Sequence, residues 1–232
     1  MAKIQLHAKV LKAVSRIAPP FDIRYFLCGV CVEATQGSTT LIATDGHRIM
    51  AAQHKAENDI EEDVRIIIPR EIVMMITAGK RSEPSRLIPL EKAGDKWSVG
   101  LPPINEFQVQ FKPIEAKYPN WRAVVKSATK DGVSGEVAMF NARYLKEMFD
   151  LAKDLHHPVM PAATLLHNGD SAGVIHFGET SNEFKVVGLV MPMRAECGTA
   201  LPDLSWAYPA EDEETDKATE TSDATAEEEA AV

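Results

Sequence analysis

Three short patterns in this 232-residue sequence carry side chains capable of chemistry. Cys28-Gly-Val-Cys31 has the spacing of a thioredoxin-type redox pair, whose first thiolate needs a helix N-terminus to lower its pKa. Residues 24–33 read instead as a strand, which sends the two thiols to opposite faces. With no second cysteine pair there is no set of four zinc ligands either. Gly169-Asp-Ser-Ala-Gly173 fits the G-x-S-x-G elbow of serine hydrolases, which presents its nucleophile on a sharp strand-to-helix turn. Here the strand-like Val174-Ile-His-Phe177 follows, so the pattern reads as a hairpin turn at Asn168-Gly169. His156-His157, just before Pro158, reads as a cap or dipole partner at a helix C-terminus and not as a metal site. The expectation is a protein with no catalytic residues, no metal and no cofactor, hence not an enzyme.

The most specific segment is Leu41-Ile-Ala-Thr-Asp-Gly-His-Arg-Ile49. Taken alone, it is a tight turn at Asp45-Gly46 with polar neighbours. The elements that must position it follow a recurring order. Helical periodicity appears three times, each time after a short apolar run. The first helix is expected over residues 7–17, with Val10, Leu11, Val14 and Ile17 on one face and Pro19-Pro20 as the stop. The second follows Arg65-Ile66-Ile67-Ile68, takes Pro69 in its first turn, and runs through Ile72, Val73 and Ile76 to end near Gly79. The third follows an expected strand over 137–140, has Asn141 as N-cap, and places Leu145, Met148, Phe149, Ala152 and Leu155 at helical spacing. Strand-like segments follow each helix, broken by turns at Gln36-Gly37, Asp45-Gly46, Ala93-Gly94-Asp95 and Asn168-Gly169. The sequence therefore predicts an α+β fold of three strand-helix-strands units, with helices on one side of antiparallel sheets.

Composition bounds the same answer. With 45% hydrophobic and 25% charged residues, the chain is globular, which excludes collagen-like and wholly disordered classes. No apolar run approaches the roughly 20 residues of a membrane span, and the N-terminus alternates charged with apolar residues. Three cysteines, Cys28, Cys31 and Cys197, are too few and odd in number for a disulfide framework. A cytoplasmic protein without disulfides is expected. The net charge of −9 sits in the last 22 residues, which hold ten acids against Lys217, so the preceding 210 residues are neutral. Residues 210–232 are expected to be a disordered acidic tail.

The 41–49 segment is preceded by Arg24-Tyr-Phe-Leu-Cys-Gly29 and followed by Lys117-Tyr-Pro-Asn-Trp-Arg122, Phe140-Asn-Ala-Arg-Tyr-Leu145 and Val190-Met-Pro-Met-Arg194. In this order and spacing the five motifs resemble the bacterial DNA polymerase III sliding clamp, the beta subunit, over about residues 3 to 194. The resemblance implies a DNA-clamp-like fold. Residues 1–127 correspond to the family's complete middle domain, 128–134 to a linker, and 135–194 to the second half of its last domain. An aromatic extension at 195–209 and the tail follow. A family chain holds six units and two chains close a ring around duplex DNA; this chain has three.

Two surfaces are implied by that resemblance. In the family a hydrophobic pocket receives peptide motifs from polymerases, clamp loaders and repair proteins. The matching positions are Leu27, Thr44, Gly46, His47, Arg48, Ile49, Pro119, Val124, Leu189, Met191 and Met193. One family position that is commonly basic is Ala123 here. The second surface is the ring lining, where helices slide over phosphates without reading bases. Lys9, Lys12 and Arg16 share one face of the first helix; Arg143, Lys146 and Lys153 share one of the third, with Asp150 intruding. The implied function is a sliding-clamp-like processivity factor in DNA replication. Its implied partners are polymerase and clamp-loader peptides and double-stranded DNA bound without sequence preference. A homo-oligomer, four chains if twelve units close a ring, is the implied assembly. The alternative is a decoy or regulatory protein that binds clamp partners without encircling DNA. Leu201, Leu204, Trp206 and Tyr208 in the extension are expected to dock, either on the third unit or in a pocket.

Overall fold

The computed structural model describes residues 2–78, 86–100, 108–155, 162–178 and 184–194. His156-His157, Gly79, Cys197, the 195–209 extension and the acidic tail lie outside them. The first unit runs β1 (Lys3–His7), α1 (Ala8–Ser15), β2 (Gly29–Thr35), β3 (Ser38–Thr44), β4 (Arg48–Lys55). The second repeats it as β5 (Val64–Pro69), α2 (Arg70–Ile76), β6 (Leu87–Ala93), β7 (Lys96–Gly100), β8 (Gln108–Phe111). Then come α3 (Trp121–Thr129), α4 (Ala142–Leu155), β9 (Thr164–Leu166), β10 (Gly173–His176) and β11 (Phe184–Val190).

Local chemistry fixes the helix ends. The imidazole Nδ1 of His7 accepts from the Val10 N–H at 3.3 Å and caps α1. Asn141 Oδ1 accepts from the Arg143 N–H at 3.0 Å ahead of α4. Pro69, expected inside the first turn of α2, closes β5 and stands at the N-cap, and Thr77 Oγ1 donates to the Val73 carbonyl at 2.7 Å where the helix ends.

The first two units are joined by an exchange of strands. β1 leaves its own unit to pair with β6, and β5 leaves its own to pair with β2. Two antiparallel sheets result, ordered β1-β6-β7-β8 and β5-β2-β3-β4-β11-β10-β9. The second sheet continues into the third unit through β4 and β11, in register from Phe184 opposite His54 to Val190 opposite Arg48. The fold class is α+β, as the sequence predicts.

The central strands β2, β3 and β4 of the long sheet are buried on both faces over most of their length, which explains why they read as apolar runs with little alternation. Val30, Val32, Leu41, Ala43, Met50, Ala52, Ile68 and Val190 meet α1, α2 and α4 in one core. Cys31, Ile42, Ile49, Ala51, Ile67, Val174 and Leu189 point the other way, into a second core with Tyr118 and Ala128. Three helices thus share one face, and α3 covers part of the other.

Three expectations need correction. The sequence reading has no helix at 121–129 and begins a linker at 128. Pro119 followed by Asn120, whose Oδ1 accepts from the Ala123 N–H at 3.3 Å, is the start signal of α3. Residues 24–33 are not one strand: Tyr25–Leu27 form a 3-10 turn and β2 begins at Gly29. Cys31 is nevertheless inert, because burial pushes its thiol up to about 11. Residues 137–140 join no ladder among the described residues. The reason lies in the exchange: first strands pair with a sister unit, and the third unit has no sister in the described chain.

Candidate functional site at the junction of the first and third units

The β3–β4 turn braces itself. Thr44 Oγ1 donates to the Arg48 carbonyl at 2.8 Å and accepts from the Gly46 N–H at 3.1 Å. Asp45 Oδ1 accepts from the N–H groups of His47 and Arg48 at 2.9 and 3.0 Å, and its Oδ2 from Arg48 Nε at 2.9 Å. Gly46 holds φ at 90°, a backbone conformation that strains any side chain and favours glycine. Thr-Asp-Gly-His-Arg is therefore a turn whose polar groups satisfy one another locally.

The third unit grips this turn. The Arg48 guanidinium lies 4.8 Å from the centre of the Tyr144 ring and pairs with Glu147, both on α4. His47 stacks on the same ring at 5.6 Å. Burial pushes the Glu147 carboxyl up, but hydrogen bonds from Arg48 and Arg143 outweigh it and leave the group below its usual range. On the other side of the turn the Met191 N–H donates to the His47 carbonyl at 2.8 Å.

The expected pocket residues fall into three placements. Leu27, Ile49 and Leu189 are at most 9% exposed and belong to the second core, beside Val174 and Ala128. Val124, Met191 and Met193 are 37–49% exposed, a high exposure for apolar side chains. Gly46 and His47 are exposed and Pro119 half-buried, whereas Thr44 and Arg48 are buried. Ala123 is exposed on α3, two residues after Trp121, whose ring carries the Arg122 guanidinium at 4.4 Å. Arg122 and Arg65 both pair with Glu33 below.

The expected DNA-facing cations lie on the helix face of the sheet. Lys9 is half-buried; Lys12 and Arg16 are exposed on α1. Arg16 pairs with Asp154 across to α4. On α4, Arg143 pairs with Glu147 at 3.1 Å, and Lys146 and Lys153 flank Asp150 at 2.7 and 2.9 Å. Hydrogen bonds from Lys146 and then Lys153 hold the Asp150 carboxyl down at about 2. Of these cations, Arg16 and Arg143 share with His47 and Arg48 the lining of one cavity of about 560 Å³.

The sequence alone marks Tyr144 only as part of the 140–145 motif and Asn168 only as a turn residue, and it does not single out Glu147. Tyr144 and Glu147 stand three apart on α4, the spacing that puts two side chains on one helix face. Asn168 Nδ2 donates to the Ala128 carbonyl at 2.8 Å and its Oδ1 accepts from the Ser134 N–H at 2.9 Å, tying the end of α3 to the third unit. The neighbouring Gly169 holds φ at 54°, and the loop joins two antiparallel strands, β9 and β10. Among the described residues, no group of three His, Cys, Asp or Glu could hold a metal.

Strand-helix-strands units that exchange first strands, with helices lining one face of a sheet continuous across units, define a DNA-clamp fold. Solved structures agree. A sliding clamp from Pseudomonas aeruginosa superposes with a TM-score of 0.62 at 16% identity, over 83% of this chain and 66% of that one. The Helicobacter pylori beta clamp bound to a DNA ligase peptide gives 0.61 at 15% identity, over 84% and 66%. The family model of the DNA polymerase III beta subunit, central domain, matches residues 4–120, half of the sequence, and the chain belongs to that family. Among curated relatives, the beta sliding clamp of Pseudomonas putida is 23% identical over 115 residues, 50% of this chain and 30% of the relative. That of Vibrio cholerae is 28% identical over 112 residues, 47% and 28%. The match therefore spans less than a third of those relatives' length.

Proposed function

We propose that this protein is a non-enzymatic, clamp-like partner of the replication machinery. It binds short peptide motifs of polymerases and clamp loaders where the first and third units meet, and in oligomeric form, with four chains in the ring, it serves as a processivity factor around duplex DNA. The observation that carries the reading is the β4–β11 pairing, which brings the 44–49 turn beside Leu189, Met191 and Met193. The residue types suit peptide capture, since an apolar floor gives affinity and exposed methionines adapt to different partners.

One observation favours the second reading, a decoy or regulator that captures partners without encircling DNA. Each expected cation on α4 already has a carboxylate partner on the same helix. Such pairs lessen the charge available to phosphates.

The peptide reading is tested by anisotropy with a fluorescent DNA-ligase-type peptide. Wild type should bind at micromolar Kd, about −8 kcal/mol. The double variant Met191→Ala plus Ile49→Ala should bind at least about tenfold more weakly, a loss of about 1.4 kcal/mol. Equal affinity in the two proteins would reject the site.

A further inference from the structure

The third unit has the same incomplete edge that each of the first two units fills for the other. In both completed cases the pairing follows one rule. The residue just before the helix lies opposite the first residue of the sister unit's post-helix strand: His7 opposite Leu87, and Pro69 opposite Gly29. The first strand is also tethered to the chain leaving its own last strand, as Lys3 exchanges backbone hydrogen bonds with Asp59.

Residues 137–140 keep the second feature and lack the first. The Met193 N–H, just past β11, donates to the Met139 carbonyl at 2.8 Å, so the segment is held where a first strand belongs. It pairs with no post-helix strand among the described residues, and β9 is paired only with β10. Three large apolar side chains are left in solvent at this edge: Val137 at 51%, Met139 at 42% and Leu166 at 39% exposure.

We propose that a second copy of this chain completes the third unit by reciprocal exchange, 137–140 of each protomer pairing antiparallel with β9 of the other. The rule sets the register. Asn141, just before α4, lies opposite Thr164 of the partner subunit, Phe140 opposite the partner's Leu165, and Met139 opposite the partner's Leu166. The faces agree with that register. Phe140 and Leu165 both pack toward the helix-side core in the single chain, while Met139 and Leu166 are both exposed. The pairing is isologous, so each contact occurs twice and joins two chains about a two-fold axis, one of the two kinds of interface that a four-chain ring needs. A free edge carrying apolar residues is otherwise a template for aggregation, which the exchange removes.

The pairing deepens the oligomeric part of the proposed function but stands on sheet topology alone. Its failure would remove the closed ring and leave peptide capture to the peptide titration.

Sedimentation of the full chain, with Met139→Glu and Leu166→Lys as separate variants, tests it. Both side chains are exposed in the single chain, so each variant should keep the wild-type circular dichroism spectrum, with melting lowered only by the loss of the partner. Wild type should sediment at an even multiple of the chain mass. Each variant alone should halve that mass, because a charge then faces an apolar side chain. An equal mixture of the two should restore it: in the mixed dimer the introduced carboxylate would face the introduced ammonium, and the other contact would remain Met139 against Leu166. A wild type of one chain, variants that keep the wild-type mass, or a mixture that stays at the reduced mass would each overturn the exchange.

Discussion

Arg48 directs its whole guanidinium inward: Nε to Asp45 at 2.9 Å, Nη2 to Glu147 and Nη1 to the Tyr144 carbonyl at 3.5 Å, over the Tyr144 ring. Its side chain is 7% exposed, so its role is to hold the turn against α4, while His47 beside it stays exposed. Arg48→Ala leaves Asp45 without its side-chain cation and Glu147 with Arg143 alone, and a cost of about 2–3 kcal/mol is expected in urea unfolding, with an unchanged denaturant slope. Arg48→Lys keeps the charge but not the three-way geometry and should recover less than half of that loss. A cost below about 0.5 kcal/mol for Arg48→Ala would mean that the turn stands without α4.

At the scale of elements, the seam between β4 and β11 carries its own pH dependence. His54 on β4 is 2% exposed, packs edge-on against His7, and shares His7 with Phe184 at the start of β11. Burial, the largest influence, takes the His54 pKa down to about 4 from 6.5, the His7 charge adding to it and the hydrogen bond with the Gln5 carbonyl opposing it. A folded pKa below the unfolded one means that the unfolded chain binds the proton first. The contribution is therefore complete above pH 6.5 and falls away as pH drops toward 4, by about 3 kcal/mol in all. Urea midpoints measured across that window should fall for wild type and flatten for His54→Gln; equal slopes would assign the acid sensitivity elsewhere.

The same scale shows what the sequence makes legible. α1 and α4 declare themselves because their apolar residues recur at helical spacing and capping residues stand at their starts. The 44–48 turn is legible because its partners are neighbours in the chain. α3 escapes because only Ala128 on it is buried, too little for a period to show, and the Pro119-Asn120 start is its one clear signal. The exchange of β1 and β5 escapes because a pairing partner far along the chain leaves no local trace, even where a strand alternates as β1 does over Lys3-Ile4-Gln5-Leu6. The fate of 137–140 follows from that exchange. Its composition suits a strand, but a strand requires a neighbour.

At the scale of the whole molecule, the described chain offers two opposed surfaces of one long sheet. One presents α1, α2 and α4 with their interleaved charges, and with Met74 and Met75 exposed on α2. The other carries the second core, and Met191 and Met193, just past β11, are exposed. No helix among the described residues is long and apolar enough to cross a membrane. The proposed docking of partner peptides falls on the second surface, where the first and third units meet. Methyl-labelled methionine gives nine reporters, with two exposed on each surface. Titration with the DNA-ligase-type peptide should shift the Met191 and Met193 methyl signals together, saturating at micromolar peptide, while Met74 and Met75 stay fixed. Movement of Met74 and Met75 with Met191 and Met193 unchanged, or no movement at any methyl, would contradict docking at that surface.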